Sequence, residues 1–323
     1  MLRILIALFA IALSCVNASA ETYPSRPITI VVPFAAGGPA DTLARFLAES
    51  MKRTLNQPVI IEDVPGAAGT LGVGRLVRAR PDGYTIGIGH LGTNVFNGAV
   101  YNLPFDLLKD LEPISLLPSN AYMILTKPGV PANTIPELVA WLKANPDQAT
   151  AGTAGIGTIG HLATLDFARR TGVSLRIVPY RGGAPAFADA LAGNITLIFD
   201  LPTASTLAIA SNAKMKQYAI MAPQRITAAP HVPSVDEVGL KGLYTAAWYG
   251  FWAPKGTPKD VIAKLNTAAR EAMADPEFIK RMEQQSATIP TAEQQSPEWL
   301  ADFQAEEIAK WWPLIKGADI KIQ

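Results

Sequence analysis

Ile28-Thr29-Ile30-Val31-Val32-Pro33-Phe34-Ala35-Ala36-Gly37-Gly38-Pro39-Ala40-Asp41 is the stretch that decides the fold class. Ile28 to Val32 is β-branched throughout and reads as a short buried strand. Leu43, Phe46, Leu47, Met51 and Leu55 then recur at helical spacing. The segment is therefore a strand, a glycine-rich turn and a helix. The glycines let backbone come close to a ligand. A helix start offers unpaired N–H groups and the positive end of the helix dipole, which together favour an anion. The same residues also suit a tight turn in which Asp41 is an ordinary first-turn acid, and loop chemistry alone does not choose between the two.

Outward from this unit the pattern repeats. Val59-Ile60-Ile61 reads as a strand, Thr70 to Ala79 as a helix, and Asp82-Gly83 as a turn into the strand Tyr84 to Ile88. Thr134-x-x-Glu137 is a capping box before a helix. Thr150 to Thr153, Leu175 to Val178, Ile195 to Phe199 and Tyr218 to Met221 read as strands. Between them lie helices over Leu162–Arg169, Ala186–Leu191 and Thr203–Ala210, the first two stopped at Gly172 and Gly193. Such alternation predicts βαβ units and a parallel sheet. Thr257-Pro258, Asp275-Pro276 and Ser296-Pro297 each offer an N-cap followed by proline, so the last part of the chain reads as mostly helical. Ile114 to Thr126 and Ala246 to Ala253 are too long and continuously apolar for simple lobe strands. They read as hinge strands between two lobes. Residues 21–120 with 250–323 then form a discontinuous first lobe, and 121–249 form the second.

Arg3, the apolar run Ile4 to Val16 and the small-x-small site Ala18-Ser19-Ala20 read as a cleavable signal peptide over residues 1–20, with cleavage near Glu21. The run is short for a membrane span. Of the 28 Lys and Arg, only Arg3 lies in that leader and no acid does, which leaves 27 basic against 27 acidic side chains. This balance gives no electrostatic footprint for nucleic acid. Cys15 is the one cysteine and would leave with the leader, which excludes a disulfide scaffold, a thiolate metal site and a cysteine nucleophile. Hydrophobic residues, at 49%, suffice for two cores.

Three further turns could carry chemistry. Gly152 to His161 contains Gly155-x-Gly157-x-x-Gly160, a dinucleotide fingerprint, but the next strand ends at Val178-Pro179-Tyr180-Arg181 without the acid that would hold a ribose. The same backbone serves a carboxylate equally well, and no cofactor is expected. In Tyr180-Arg181-Gly182-Gly183, Arg181 either pairs with an acidic ligand or braces two loops. Asp200 follows an apolar strand and either caps the next turn or reads a donor on the ligand. His90, His161 and His231 form no pair at metal spacing. No nucleophile elbow or zinc-protease motif is present, so an enzyme is not expected.

Several of these segments together resemble the receptors of tripartite tricarboxylate transporters, the Bug proteins. They are Tyr23 to Ile28, Val32 to Asp41, Val64-Pro65-Gly66-Ala67-Ala68-Gly69, Pro81 to Thr85, Gly155 to His161, Val178 to Gly183 and Phe251 to Pro258, in that order. Relatives often carry serine at Thr158, which keeps the hydroxyl. The resemblance implies an α/β fold of the two-lobed periplasmic binding protein kind, type II-like. Each lobe would be a mixed sheet flanked by helices, and the pair would close like a flytrap. It implies a small carboxylate ligand (dicarboxylate, tricarboxylate or aromatic acid) and two integral membrane partners that receive it. A monomer is expected. Expected ligand contacts are Phe34, Ala35, Ala36, Gly38, Asp41, His90, Thr93, Thr153, Gly157, Thr158, His161, Arg181 and Asp200. A sensor feeding a signalling kinase, or a periplasmic enzyme on this scaffold, are the alternatives.

Overall fold

The computed structural model describes residues 23–180 and 182–317. The expected leader, Cys15, the cleavage point near Glu21 and Arg181 lie outside the described residues. The strands are β1 (Ile28–Val32), β2 (Val59–Asp63), β3 (Thr85–His90), β4 (Leu111–Ala121), β5 (Met123–Thr126), β6 (Thr150–Thr153), β7 (Arg176–Pro179), β8 (Leu197–Asp200), β9 (Lys216–Ile220) and β10 (Ala246–Pro254). The helices are α1 (Pro39–Leu55), α2 (Thr70–Val77), α3 (Asn97–Val100), α4 (Ile135–Ala144), α5 (Ile159–Thr171), α6 (Gly183–Leu191), α7 (Ala204–Asn212), α8 (Lys259–Ala274), α9 (Pro276–Gln284) and α10 (Pro297–Gly317).

These strands build two five-stranded mixed sheets, ordered β2-β1-β3-β10-β4 and β7-β6-β8-β5-β9. The two orders are the same arrangement twice. In each, a central strand is flanked by two parallel neighbours, and an antiparallel strand separates that trio from the far edge. The antiparallel strand is the one that has just crossed between sheets. β4 runs into β5 with only Tyr122 between them, and β10 returns to the first sheet. The crossings meet there: Tyr122 N–H donates to the Thr245 carbonyl at 2.9 Å, and Met221 N–H to the Tyr122 carbonyl at 2.7 Å.

Parallel strands need cover on both faces, and both sheets have it. One face of the first sheet packs Ile30, Ile86 and Phe251 against Leu47 and Met51 of α1 and Leu265 of α8. Its other face, with Trp248 and Trp252, meets Leu300 and Trp311 of α10. The second sheet is sandwiched likewise, with Phe167 of α5 and Leu138 of α4 on one face and Ala186 and Ala190 of α6 on the other. Leu162, on another face of α5, joins the α10 cluster and is fully buried. The last helix therefore touches the second sheet's layer, and Lys310 of α10 donates to the Tyr244 carbonyl just before β10.

Helix ends follow local chemistry with two corrections. Thr134 caps α4 by accepting from Glu137 N–H, but the Glu137 carboxylate reaches Asn133 N–H at 2.8 Å, one residue earlier than a capping box places it. Thr257 does not cap α8: its hydroxyl donates to the Pro254 carbonyl at 2.8 Å, and the helix begins at Lys259. Asp275 caps α9 by accepting from Glu277 N–H at 2.8 Å. α5 stops where Gly172 takes φ 64°.

Candidate functional site

In open α/β sheets, ligands bind beyond the carboxyl ends of the strands, where the connections diverge. The glycine-rich turns after β1 and β6 sit at those ends, as do the segments after β3 and β8.

The turn after β1 is set by close backbone contact. A Cβ on Gly72 of α2 would lie 2.6 Å from Pro33 Cα, and one on Gly69 would lie 3.3 Å from the Pro33 carbonyl oxygen. Only glycines let α2 and its lead-in approach Pro33 this closely. Asn97 Nδ2 donates to the Ala68 carbonyl at 2.9 Å and fixes the lead-in from below. Beyond Pro33, Phe34 is half-buried and Ala35 and Ala36 are exposed. Gly38 N–H makes a long 3.4 Å bond to the Ala35 carbonyl. Asp41 is turned inward. Its Oδ2 accepts from Gly37 N–H at 2.7 Å and its Oδ1 pairs with Arg45 Nε at 2.7 Å. Burial raises the Asp41 carboxyl, but the Arg45 guanidinium and the Gly37 N–H outweigh it and hold it below the usual carboxylate range. The acid braces its own turn.

At the end of β3, His90 Nδ1 accepts the Thr93 N–H at 3.1 Å, while His90 N–H donates to Thr93 Oγ1 at 2.9 Å. Thr93 is itself buried, and its hydroxyl donates to Asn94 Oδ1 at 2.8 Å. It orients His90. Burial pushes His90 down to about 4, so the ring is neutral. With Nδ1 accepting, its proton sits on Nε2. The His90 ring lies 4.7 Å from Phe34 and 5.8 Å from Tyr249 of β10.

The turn after β6 is built the same way. His161 Nδ1 accepts Gly157 N–H at 3.0 Å, so this ring also carries its proton on Nε2 when neutral. Burial lowers the His161 pKa. Thr158 caps α5 by accepting from His161 N–H at 3.4 Å, and donates to the Gly155 carbonyl at 2.8 Å. Gly155 (φ 133°) and Gly157 (φ 77°) take backbone angles that other residues avoid. Behind the turn, a recess is lined by Tyr122, Gly152, Thr153, Ala154, Gly160, Gly183, Ala186, Ile198, Phe199 and Asp200. Thr153 is buried at its floor. Asp200 Oδ1 accepts Leu201 N–H at 2.8 Å, and burial raises the Asp200 carboxyl.

The crossing residue joins the halves. The Tyr122 ring lies in contact range of Gly160, whose added Cβ would be 3.7 Å from Tyr122 Cε1. Its hydroxyl is shifted upward by burial first, then by Asp200 and Tyr249. Phe34, His90 and Tyr249 thus form one ring series at the first sheet, and Tyr122, Asp200 and Gly160 line the recess at the second. Tyr122 and Tyr249 escaped the sequence reading. The available signal was a polar-tipped aromatic inside each apolar hinge segment. No cluster of three or more His, Cys, Asp and Glu suited to a metal ion exists among the described residues.

The family profile described as "Tripartite tricarboxylate transporter family receptor" matches residues 43–320. A protein encoded between ttuE and ttuC' in Agrobacterium vitis is 38% identical over 90% of this chain and 83% of its own length. The periplasmic binding protein BugD is 39% identical, with 93% of this chain and 100% of that one covered at a TM-score of 0.69. MatC from Rhodopseudomonas palustris, solved with bound malate, is 34% identical over 91% of this chain and 100% of its own, at 0.70. A solute-binding protein from Polaromonas, solved with no ligand, is 29% identical over 92% and 100%, at 0.82. The two mixed sheets are the periplasmic binding protein fold, and the chain belongs to the tripartite tricarboxylate transporter receptor family, a family of solute-binding receptors.

Proposed function

We propose that this chain is an exported receptor that captures a small carboxylate between its lobes and hands it to two integral membrane subunits. The observation that carries this reading is a set of neutral hydrogen-bonding groups with no partner among the described residues. They are His90 Nε2, His161 Nε2 and the Tyr122 and Tyr249 hydroxyls, drawn from both sheets and the crossing between them. These groups have no protein partner to give up, and a ligand that accepts several hydrogen bonds can engage them in place of water. A carboxylate has two oxygens and about four lone-pair sites for such donors. The malate bound to MatC is an acid of this kind. BugD supports the periplasmic location.

Donors on two sheets reach one small anion together only if the lobes approach each other, and the anion then favours the closed state by its extra contacts there. Isothermal calorimetry against dicarboxylates, citrate, aromatic acids and neutral sugars tests the reading. At least one acid should bind and be recovered unchanged. Binding of sugars alone, or turnover of the acid, would contradict it.

A further inference from the structure

We propose that Asp200 selects acids that carry a hydrogen-bond donor, a hydroxyl or an ammonium, on the carbon beside the carboxylate. The inference rests on the carboxylate reading of the cleft and goes on to name the ligand's chemistry.

Asp200 ends β8 and forms one wall of the recess that also holds Tyr122, Thr153 and Gly160. Its Oδ1 is held by the Leu201 N–H at 2.8 Å, which fixes the side chain. Its Oδ2 has no partner among the described residues. The Tyr122 hydroxyl, which shares the recess, is of the opposite kind, an open donor near enough to feel the Asp200 charge. Beyond the recess, the His161 ring at the start of α5 presents Nε2–H because its Nδ1 is engaged by Gly157. An open acceptor therefore shares the recess with an open donor.

A ligand carboxylate satisfies the donors. If the carbon next to it carries only hydrogen, Asp200 Oδ2 faces an apolar group, and two carboxylates share a half-buried space. Both consequences are unfavourable. A hydroxyl or ammonium on that carbon puts a donor between the two carboxylates, within reach of Oδ2, with no change in the rest of the ligand. An ammonium also cancels one of the charges. The recess is small, so the donor has to be on the adjoining carbon and not at the far end of a long chain.

Calorimetric titration with matched acids tests this in the mature protein: malate against succinate, citrate against tricarballylate, and mandelate against phenylacetate. In every pair that binds, the hydroxylated member should be about tenfold tighter or more, the range of a hydrogen bond to a charged group. In Asp200→Asn the ratio should fall by about the same factor, mainly through loss of the hydroxylated ligand. The wild-type ratios stand as a test even if the variant folds poorly. Equal binding within pairs, or a preference that persists in Asp200→Asn, would overturn the role of Asp200 while leaving the carboxylate cleft in place. Failure of all six acids to bind would overturn the carboxylate reading and this inference with it.

Discussion

Thr158→Ala removes two hydrogen bonds that shape the turn after β6. The hydroxyl accepts the His161 N–H at 3.4 Å and donates to the Gly155 carbonyl at 2.8 Å. A lost N-cap costs about 1 kcal/mol, and the long distance argues for the lower part of that range. The shorter bond contributes about 1 kcal/mol more, because a typical intramolecular bond is worth that much net. The combined loss of about 1.5–2 kcal/mol should lower Tm by roughly 2–4 °C for a protein of this size. The turn also loses the tie that holds Gly155 over the start of α5, so affinity for the best acid should fall by about an order of magnitude, 1.4 kcal/mol being tenfold. Thr158→Ser keeps the hydroxyl and should restore both quantities. Differential scanning calorimetry and titration of the two variants provide the check. If serine and alanine behave alike, the hydroxyl does not organise this turn. If Thr158→Ala lowers Tm but leaves affinity unchanged, the turn is outside the binding cleft.

Gly72→Val should both destabilise the protein and weaken binding, because even its Cβ would sit 2.6 Å from Pro33 Cα and 3.0 Å from the Val64 carbonyl oxygen; unchanged Tm and affinity would show that the first turn is not pinned by α2. Stability should fall with acid: His90 has a folded pKa of about 4 against an ordinary 6.5, so the unfolded chain binds the extra proton first, and stability present above pH 6.5 is lost as pH falls towards and below 4. Denaturant midpoints measured across that window check it, and His90→Gln should flatten the slope. A groove lies between Ile226–Ala228 and the Ile279–Ile289 stretch, beside the Ser119–Thr288 bridge. If closing the cleft opens this groove, Thr227→Trp should tighten acid binding, and weaker binding would place the axis elsewhere.

The strand–turn–helix units were legible because each is local. Ile28 to Leu55 switches from a β-branched run to helical spacing within a single stretch, and Thr150 to Gly172 does the same. The Ile114–Thr126 run was legible as too long for one sheet and is β4 followed by β5, with the crossing at Tyr122, whereas the Ala246–Ala253 run lies wholly within β10 of the first sheet, so its length did not mark a strand shared by both lobes. The site was only partly legible. Asp41 and Thr93 lie where the sequence suggests, but bonds to Gly37 and Asn94 turn them inward, and residue type alone does not tell a brace from a contact. Tyr122 and Tyr249 meet only through the pairing of β4 with β10, which spans more than a hundred residues of chain. The contact between α5 and α10 was hidden for the same reason: Leu162 and Trp311 share one buried cluster although they lie far apart in the chain. Thr257 looked like an N-cap because it precedes proline, yet the Pro254 carbonyl competes for its hydroxyl.

The central claim is that an acid is captured by closing two lobes over it. Small-angle X-ray scattering of the mature protein, with and without a saturating acid, tests it most directly when binding is confirmed by calorimetry on the same sample. The radius of gyration should fall on binding, because donors after β3 and β6 converge on one ligand only in a more compact form. An unchanged radius of gyration with the acid bound would contradict the account.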